Sequence, residues 1–275
     1  MKAYDVCIIG AGFAGLGYKM AHENVVMLEE TEILGTDYMG IFRPVKRIKT
    51  PTTHEGEILF QYLQKEGILQ KDGMDLPRMF PVLCHFVQDH CMDSIYLDAS
   101  LITIERRNSE YIVTYRTNSG ISHIMAKKVI DATARRNTAR DCAKEEKREL
   151  HCYCHSEDPE AEKLLSRFHP DHNIIRDITY EKSKFRIQME TSEHLAEYIV
   201  SFTFSPQVTL SEARSAIEGA WEKEGFEKRI LIDMVGFDFD YTCREIKEKE
   251  GLCWLAPHDF QDPFSAFEAG VQLEV

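Results

Sequence analysis

Val6-Cys7-Ile8-Ile9-Gly10-Ala11-Gly12-Phe13-Ala14-Gly15 is an apolar run followed at once by the spacing G-x-G-x-x-G. The run predicts a buried strand over residues 4–9, and the residues after it predict a helix over 13–22. Each glycine has its own use in such a turn. Gly10 permits the tight bend, Gly12 lets bare backbone approach a phosphate, and Gly15 lets helix and strand pack closely. The start of the helix adds free N–H groups and a positive dipole end. Residues Gly10, Ala11, Gly12, Phe13, Ala14 and Gly15 are therefore expected to cradle the pyrophosphate of a dinucleotide.

The next apolar run, Val25-Val26-Met27-Leu28, ends in Glu29-Glu30, about 20 residues beyond the first glycine, where a carboxylate would meet a ribose. Glu29 follows the run directly and is the better placed of the two. Residues 35–51 read as a loop broken by Gly35, Gly40, Pro44 and Pro51. Helical spacing of Ile58, Leu59, Tyr62 and Leu63 predicts a helix over 54–66, and a second is expected from Pro81, as the first helical residue, through Asp89. Short runs at 95–97, 101–104, 111–115 and 121–125 predict a meander, and residues 127–134 a separate buried strand. Between 141 and 177 the charge density rises and the apolar pattern weakens, as in a crossing between domains. Strands are then expected over 185–189, 198–204 and 230–235. A helix over 209–224 opens on the T-x-x-E capping box of Thr209 and Glu212. The chain finishes with a strand over 252–256, a loop over 257–263 and a helix over 264–273.

Composition limits what such a chain can do. With 275 residues, 43% of them apolar, it can bury one large core or two modest ones. A net charge of −13 argues against nucleic acid or an anionic membrane as partner. No apolar run reaches the roughly 20 residues of a membrane helix, and residues 1–9 lack the pattern of a secretory signal. Eight scattered cysteines suit buried thiols in a reducing compartment better than a disulfide framework. A cytoplasmic location is expected.

Four segments in order resemble the glutathione-reductase-like superfamily of FAD-dependent oxidoreductases: residues 4–15, the stretch from Glu29 to Leu34-Gly35, the strand Val129-Ile130-Asp131-Ala132-Thr133-Ala134, and the terminal His258-Asp259, Pro263, Ala266 and Gly270. The resemblance covers both ends of the chain and the meander. It implies an α/β fold, with a Rossmann-like FAD-binding domain and β-meander over 1–145 and 245–275, and a smaller inserted α+β substrate or cap domain over 146–244. It further implies that Gly10, Gly12 and Gly15 underlie the FAD pyrophosphate and that Glu29, beside Glu30, holds the adenosine ribose. Leu101 would address the adenine through its backbone, and Thr133 and Ala134 would border the cofactor. Asp259 would lie near the ribityl chain, and the helix after Pro263 and Phe264 would point its N-terminus at the flavin. The family's Ala-Thr-Gly reads Ala132-Thr133-Ala134 here, its Gly-Asp reads His258-Asp259, and Thr36 stands where a second glycine would follow Gly35.

Absences narrow the class. No second glycine fingerprint for NAD(P)H follows Gly15, and no C-x-x-C lies near the first helix for thiol exchange. NAD(P)H, or another electron donor or acceptor, would bind only transiently. His258, beside Asp259, is the candidate for a general acid or base. His151-Cys152-Tyr153-Cys154-His155 holds soft metal-ligand types, but so short a run chelates one tetrahedral ion poorly, and no metal is expected. The expected activity is flavin-mediated oxidation or reduction of a small organic substrate where the two domains meet. The alternative is a dinucleotide-binding subunit or sensor without catalysis.

Overall fold

The structure is a computed structural model that describes residues 1–45, 47–70, 73–168, 174–182, 196–247, 249 and 251–275. In chain order, β1 (Lys2–Ile9), α1 (Phe13–Ala21) and β2 (Val25–Leu28) form the opening unit, and a π-helical turn follows at Thr36–Gly40. Next come α2 (His54–Lys65), the small hairpin of β3 (Leu69–Gln70) and β4 (Gly73–Met74), and α3 (Leu76–His90). Strands β5 (Ile95–Tyr96), β6 (Ser100–Arg107), β7 (Glu110–Thr117) and β8 (Gly120–Asp131) lead to β9 (Ala143–Ser156). Then follow α4 (Ala161–Leu165), β10 (Ile175–Lys182), β11 (Ala196–Phe204), α5 (Leu210–Lys223), β12 (Leu231–Val235), β13 (Asp240–Glu245), β14 (Leu252–Trp254) and α6 (Pro263–Val271).

Two sheets carry the molecule. The first runs β5-β2-β1-β8-β7-β6, parallel from β5 to β8 and antiparallel beyond, with β14 also parallel to β8. The fully buried runs of β1 and β2 pair in register, Val6 opposite Val25 and Ile9 opposite Leu28. Helices cover one face: Leu59 and Leu63 of α2 and Leu83, Phe86 and Val87 of α3 join Ile8, Met27 and Ile130 in one core. Each such side chain contributes about 1.5–3 kcal/mol when fully buried. The second sheet runs β10-β11-β9-β12, with β13 on the first half of β9. Its Leu150, Cys152, Cys154, Val200 and Phe202 face a core closed by Ala216, Ile217 and Trp221 of α5. On the opposite face, Tyr153 and Ile199 join the core of the first sheet.

Several expectations change. The last meander strand and the buried strand after it are one element, because β8 pairs β7 through Ala126 and β14 from Val129, with β1 alongside from Ile124 to Asp131. Helix α3 starts at Leu76, capped by Asp75, so Pro81 lies inside it. Pro81 is one turn past the free N–H groups of the helix start, so it costs the hydrogen bond that its position would make to the Pro77 carbonyl. The charged stretch expected as a crossing contains β9, the central strand of the second sheet. Residues 144–149 of β9 are all charged, and its buried apolar side chains begin only at Leu150. The strand expected over 185–189 lies outside the described residues. The capping box is present: the Thr209 amide donates to Glu212 Oε2 at 2.8 Å, and the Glu212 amide to Thr209 Oγ1 at 3.3 Å.

Candidate functional site

Parallel strands β1, β2 and β8 all end at one cleft, the usual ligand position of an open α/β sheet. Its lining includes Gly10, Glu29, Leu101, Thr133 and Ala134, with Phe237 and Tyr241 closing from the second sheet's side. Counted with its open mouth, the cleft holds about 1040 Å³ of non-atom space. Residues separated by more than a hundred positions thus meet where the sequence expected a cofactor.

Gly10 has φ +97°, a conformation that favours glycine. A Cβ on Gly15 would come 2.7 Å from the Gly10 carbonyl oxygen, so the third glycine is fixed by the closeness of helix and turn. Glu29, buried at the end of β2, accepts from the Ala11 amide at 2.7 Å and from the Thr31 amide and hydroxyl at 2.9 and 2.8 Å. Three of its roughly four lone-pair sites are therefore used, leaving one. Burial raises its pKa, and the bonds from Ala11 and Thr31 oppose that rise. Glu30 also lines the cleft and is exposed. The Ala99 amide donates to the Glu29 carbonyl at 2.8 Å, which brings the start of β6, and with it Leu101, to the acidic end.

Asp131 organises the opposite wall. Fully buried, it accepts from the Thr133 amide and hydroxyl at 2.9 and 2.6 Å and from the Thr138 amide and hydroxyl, both at 2.7 Å. Trp254 of β14 donates to the Thr133 carbonyl at 2.8 Å. A Cβ on Gly10 would touch Thr133 Cγ2 at 3.0 Å, so the turn after β8 closes directly on the glycine loop.

Two aspartates and an arginine were not foreseen. The Phe13 amide, at the first turn of α1, donates to both carboxylate oxygens of Asp37 at 3.2 and 3.1 Å. Burial pushes the Asp37 pKa up to about 6, against the opposing pull of Arg43. Arg43 itself is buried. Its Nε donates to Asp240 Oδ2 at 2.7 Å, its Nη2 to Oδ1, and its Nη1 to the Pro257 carbonyl at 2.9 Å. Burial would raise the Asp240 pKa, but Arg43 and the His151 bond hold it well below the usual carboxylate range. His151 reaches Asp240 at 3.3 Å and Ser201 at 2.7 Å. Nothing in the sequence marked Arg43 as buried, since a basic cluster such as residues 43–47 is ordinarily solvated.

The C-terminal residues are arranged otherwise. Pro257 lines the cleft, whereas the Asp259 carboxylate is exposed. His258 stacks edge-on against Trp254 at 5.7 Å, and burial lowers its pKa. Pro263 and Phe264 begin α6, where Asp262 Oδ1 accepts from the Phe264 and Ser265 amides at 3.0 and 3.1 Å. In the cysteine–histidine run, strand alternation sends Cys152 and Cys154 into the second core and His151, Tyr153 and His155 to the other face. The five side chains therefore cannot converge on one ion. Among the described residues no helix is long and apolar enough to cross a membrane.

No family model matches the sequence, and no curated protein matches it. Solved structures do match in fold. A flavoprotein/dehydrogenase from Cytophaga hutchinsonii aligns at 14% identity and TM-score 0.52, over 98% of this chain and 76% of that one. The p-nitrophenol 4-monooxygenase of Pseudomonas putida aligns at 13% identity and TM-score 0.53, over 92% and 72%. BexE, studied for oxidation in BE-7585A biosynthesis, aligns at 15% identity and TM-score 0.55, over 98% of this chain and 60% of that one. The chain has a mixed α/β fold similar to that of flavoprotein monooxygenases and dehydrogenases.

Proposed function

We propose that this chain is an FAD-dependent oxidoreductase of the glutathione-reductase-like superfamily, acting on a small organic substrate. The observation that carries this reading is the convergence of Gly10, Glu29, Leu101 and Thr133 on one cleft at the carboxyl ends of parallel strands. The residues suit the group. Gly10 and Gly15 leave no side chain between helix and turn, the start of α1 offers the Phe13 amide, which here donates to Asp37, and Glu29 keeps one acceptor site for a ribose hydroxyl. Bound there, FAD supplies transfer of a hydride or single electrons. The chain supplies position and exclusion of water. Glu29 holds the ribose, Leu101 and Ala99 wall the adenine side, and Phe237 and Tyr241 cover the mouth.

On this reading residues 1–145 and 245–275 bind the cofactor, and 146–244 form the substrate or cap domain. The substrate lies where the two domains meet, on the Phe237 and Tyr241 side of the cleft. His258 remains the candidate acid or base, and NAD(P)H binds transiently if it is the donor. The test is reconstitution with FAD followed by anaerobic titration with NAD(P)H and with candidate substrates. Flavin absorption bands that bleach support the reading. Bands that resist every reductant support a non-catalytic flavin carrier, and no bands at all overturn the cofactor assignment.

A further inference from the structure

We infer that Asp37 is an internal anion that occupies the phosphate position of the cleft, so that a dinucleotide enters only as Asp37 takes up a proton and yields the amino end of α1. The inference rests on the FAD reading above and concerns how that cofactor is admitted.

The geometry is direct. Gly12 is the glycine whose missing side chain should let a phosphate reach the backbone. A Cβ placed on it would come 2.9 Å from Asp37 Cγ and Oδ2 and 3.1 Å from Oδ1. The space freed by this glycine is therefore filled by a carboxylate of the same chain. Both oxygens of that carboxylate take the Phe13 amide, one of the free donors with which a helix start holds an anion. The turn that delivers Asp37 is fixed at both ends: the Gly35 amide donates to the Ala11 carbonyl at 2.8 Å, and Tyr38 Oη to the Phe260 carbonyl at 3.1 Å.

The charges around Asp37 determine the pH dependence. Arg43, from the segment after the turn, favours the ionised carboxylate, as does the amino end of α1. Glu29, at the end of β2, opposes it, and Tyr38 lies beside it. Asp37 is more than nine-tenths buried, and burial outweighs the attraction. Ionised Asp37 and a pyrophosphate would then be like charges at one set of donors, which disfavours both. A protonated Asp37 has no claim on the helix dipole and can be displaced. One proton taken up per dinucleotide bound makes the dissociation constant rise up to tenfold per pH unit above about pH 6.

The experiment is titration of apoprotein with FAD across pH, read by quenching of flavin fluorescence, for the wild type, Asp37→Asn and Asp37→Ala. Thermal unfolding of each apoprotein confirms that the variants fold. The wild type should bind more weakly as pH rises, whereas Asp37→Asn should bind at least tenfold more tightly than wild type above neutrality and show a flatter profile. Equal affinities with the same pH profile in wild type and variants overturn the inference while leaving the FAD reading intact. No binding by any folded variant at any pH overturns the FAD reading itself, and the competition with it.

Discussion

Arg43 Nε lies 2.7 Å from Asp240 Oδ2, joining a segment that follows the glycine turn to the edge strand of the second sheet, 197 residues later. Arg43 is buried and the Asp240 side chain is only 11% exposed, so either group is poorly hydrated if the other is lost. Asp240→Asn should cost about 3–5 kcal/mol in denaturant unfolding at neutral pH, the usual penalty for breaking a buried pair. Replacing both partners, Arg43→Met with Asp240→Leu, should cost less than either single change. The pH dependence has a definite sign. The folded carboxyl titrates below its unfolded value, so its stabilisation is complete above about pH 4 and is lost as pH falls further. The gap between wild type and Asp240→Asn should close in strong acid.

Helices α1 and α6 cross at two glycines. A Cβ on Gly270 would lie 1.9 Å from the Ala14 carbonyl oxygen, and one on Gly17 would lie 2.0 Å from that of Phe267. Backbone cannot yield as a side-chain tip can. Gly270→Ala and Gly17→Ala should each destabilise by about 3 kcal/mol or more, at the upper end of overpacking effects. Gly219→Ala, with open space around its Cβ position, should be tolerated.

Asp131 holds the Thr133–Thr138 turn through four accepted bonds. Asp131→Ala leaves two amides and two hydroxyls without their partner and should cost about 2–3 kcal/mol. Because Thr133 and Ala134 wall the cleft, the same variant should bind FAD more weakly. A merely structural effect would lower the melting temperature and leave affinity unchanged.

The first β-α-β unit was legible because its signals are local: apolar runs of strand length, glycines at fixed spacing, and an acid at the strand end. Thr209 and Glu212 were legible for the same reason. Elements defined by distant partners were not. β8 reads as two strands because its two halves meet different neighbours on one edge, and β9 reads as a charged linker because residues 144–149 are all charged. Gly10 and Glu29 were placed at the site by their spacing from strand ends, and Thr133 by the resemblance of residues 129–134 to the flavoprotein superfamily. Asp37 carried no such mark, since an aspartate in a glycine-broken loop is ordinarily solvated. Only the folded turn shows it buried at the start of α1.

The central claim is that FAD's pyrophosphate rests on the glycine turn between β1 and α1. Equilibrium binding of FAD to wild-type apoprotein and to Gly12→Val, measured side by side below about pH 6, tests it most directly. One FAD per chain for the wild type, with at least a hundredfold loss in a folded Gly12→Val variant, is the predicted result. Unchanged affinity in Gly12→Val, or no binding by the wild type, would contradict it.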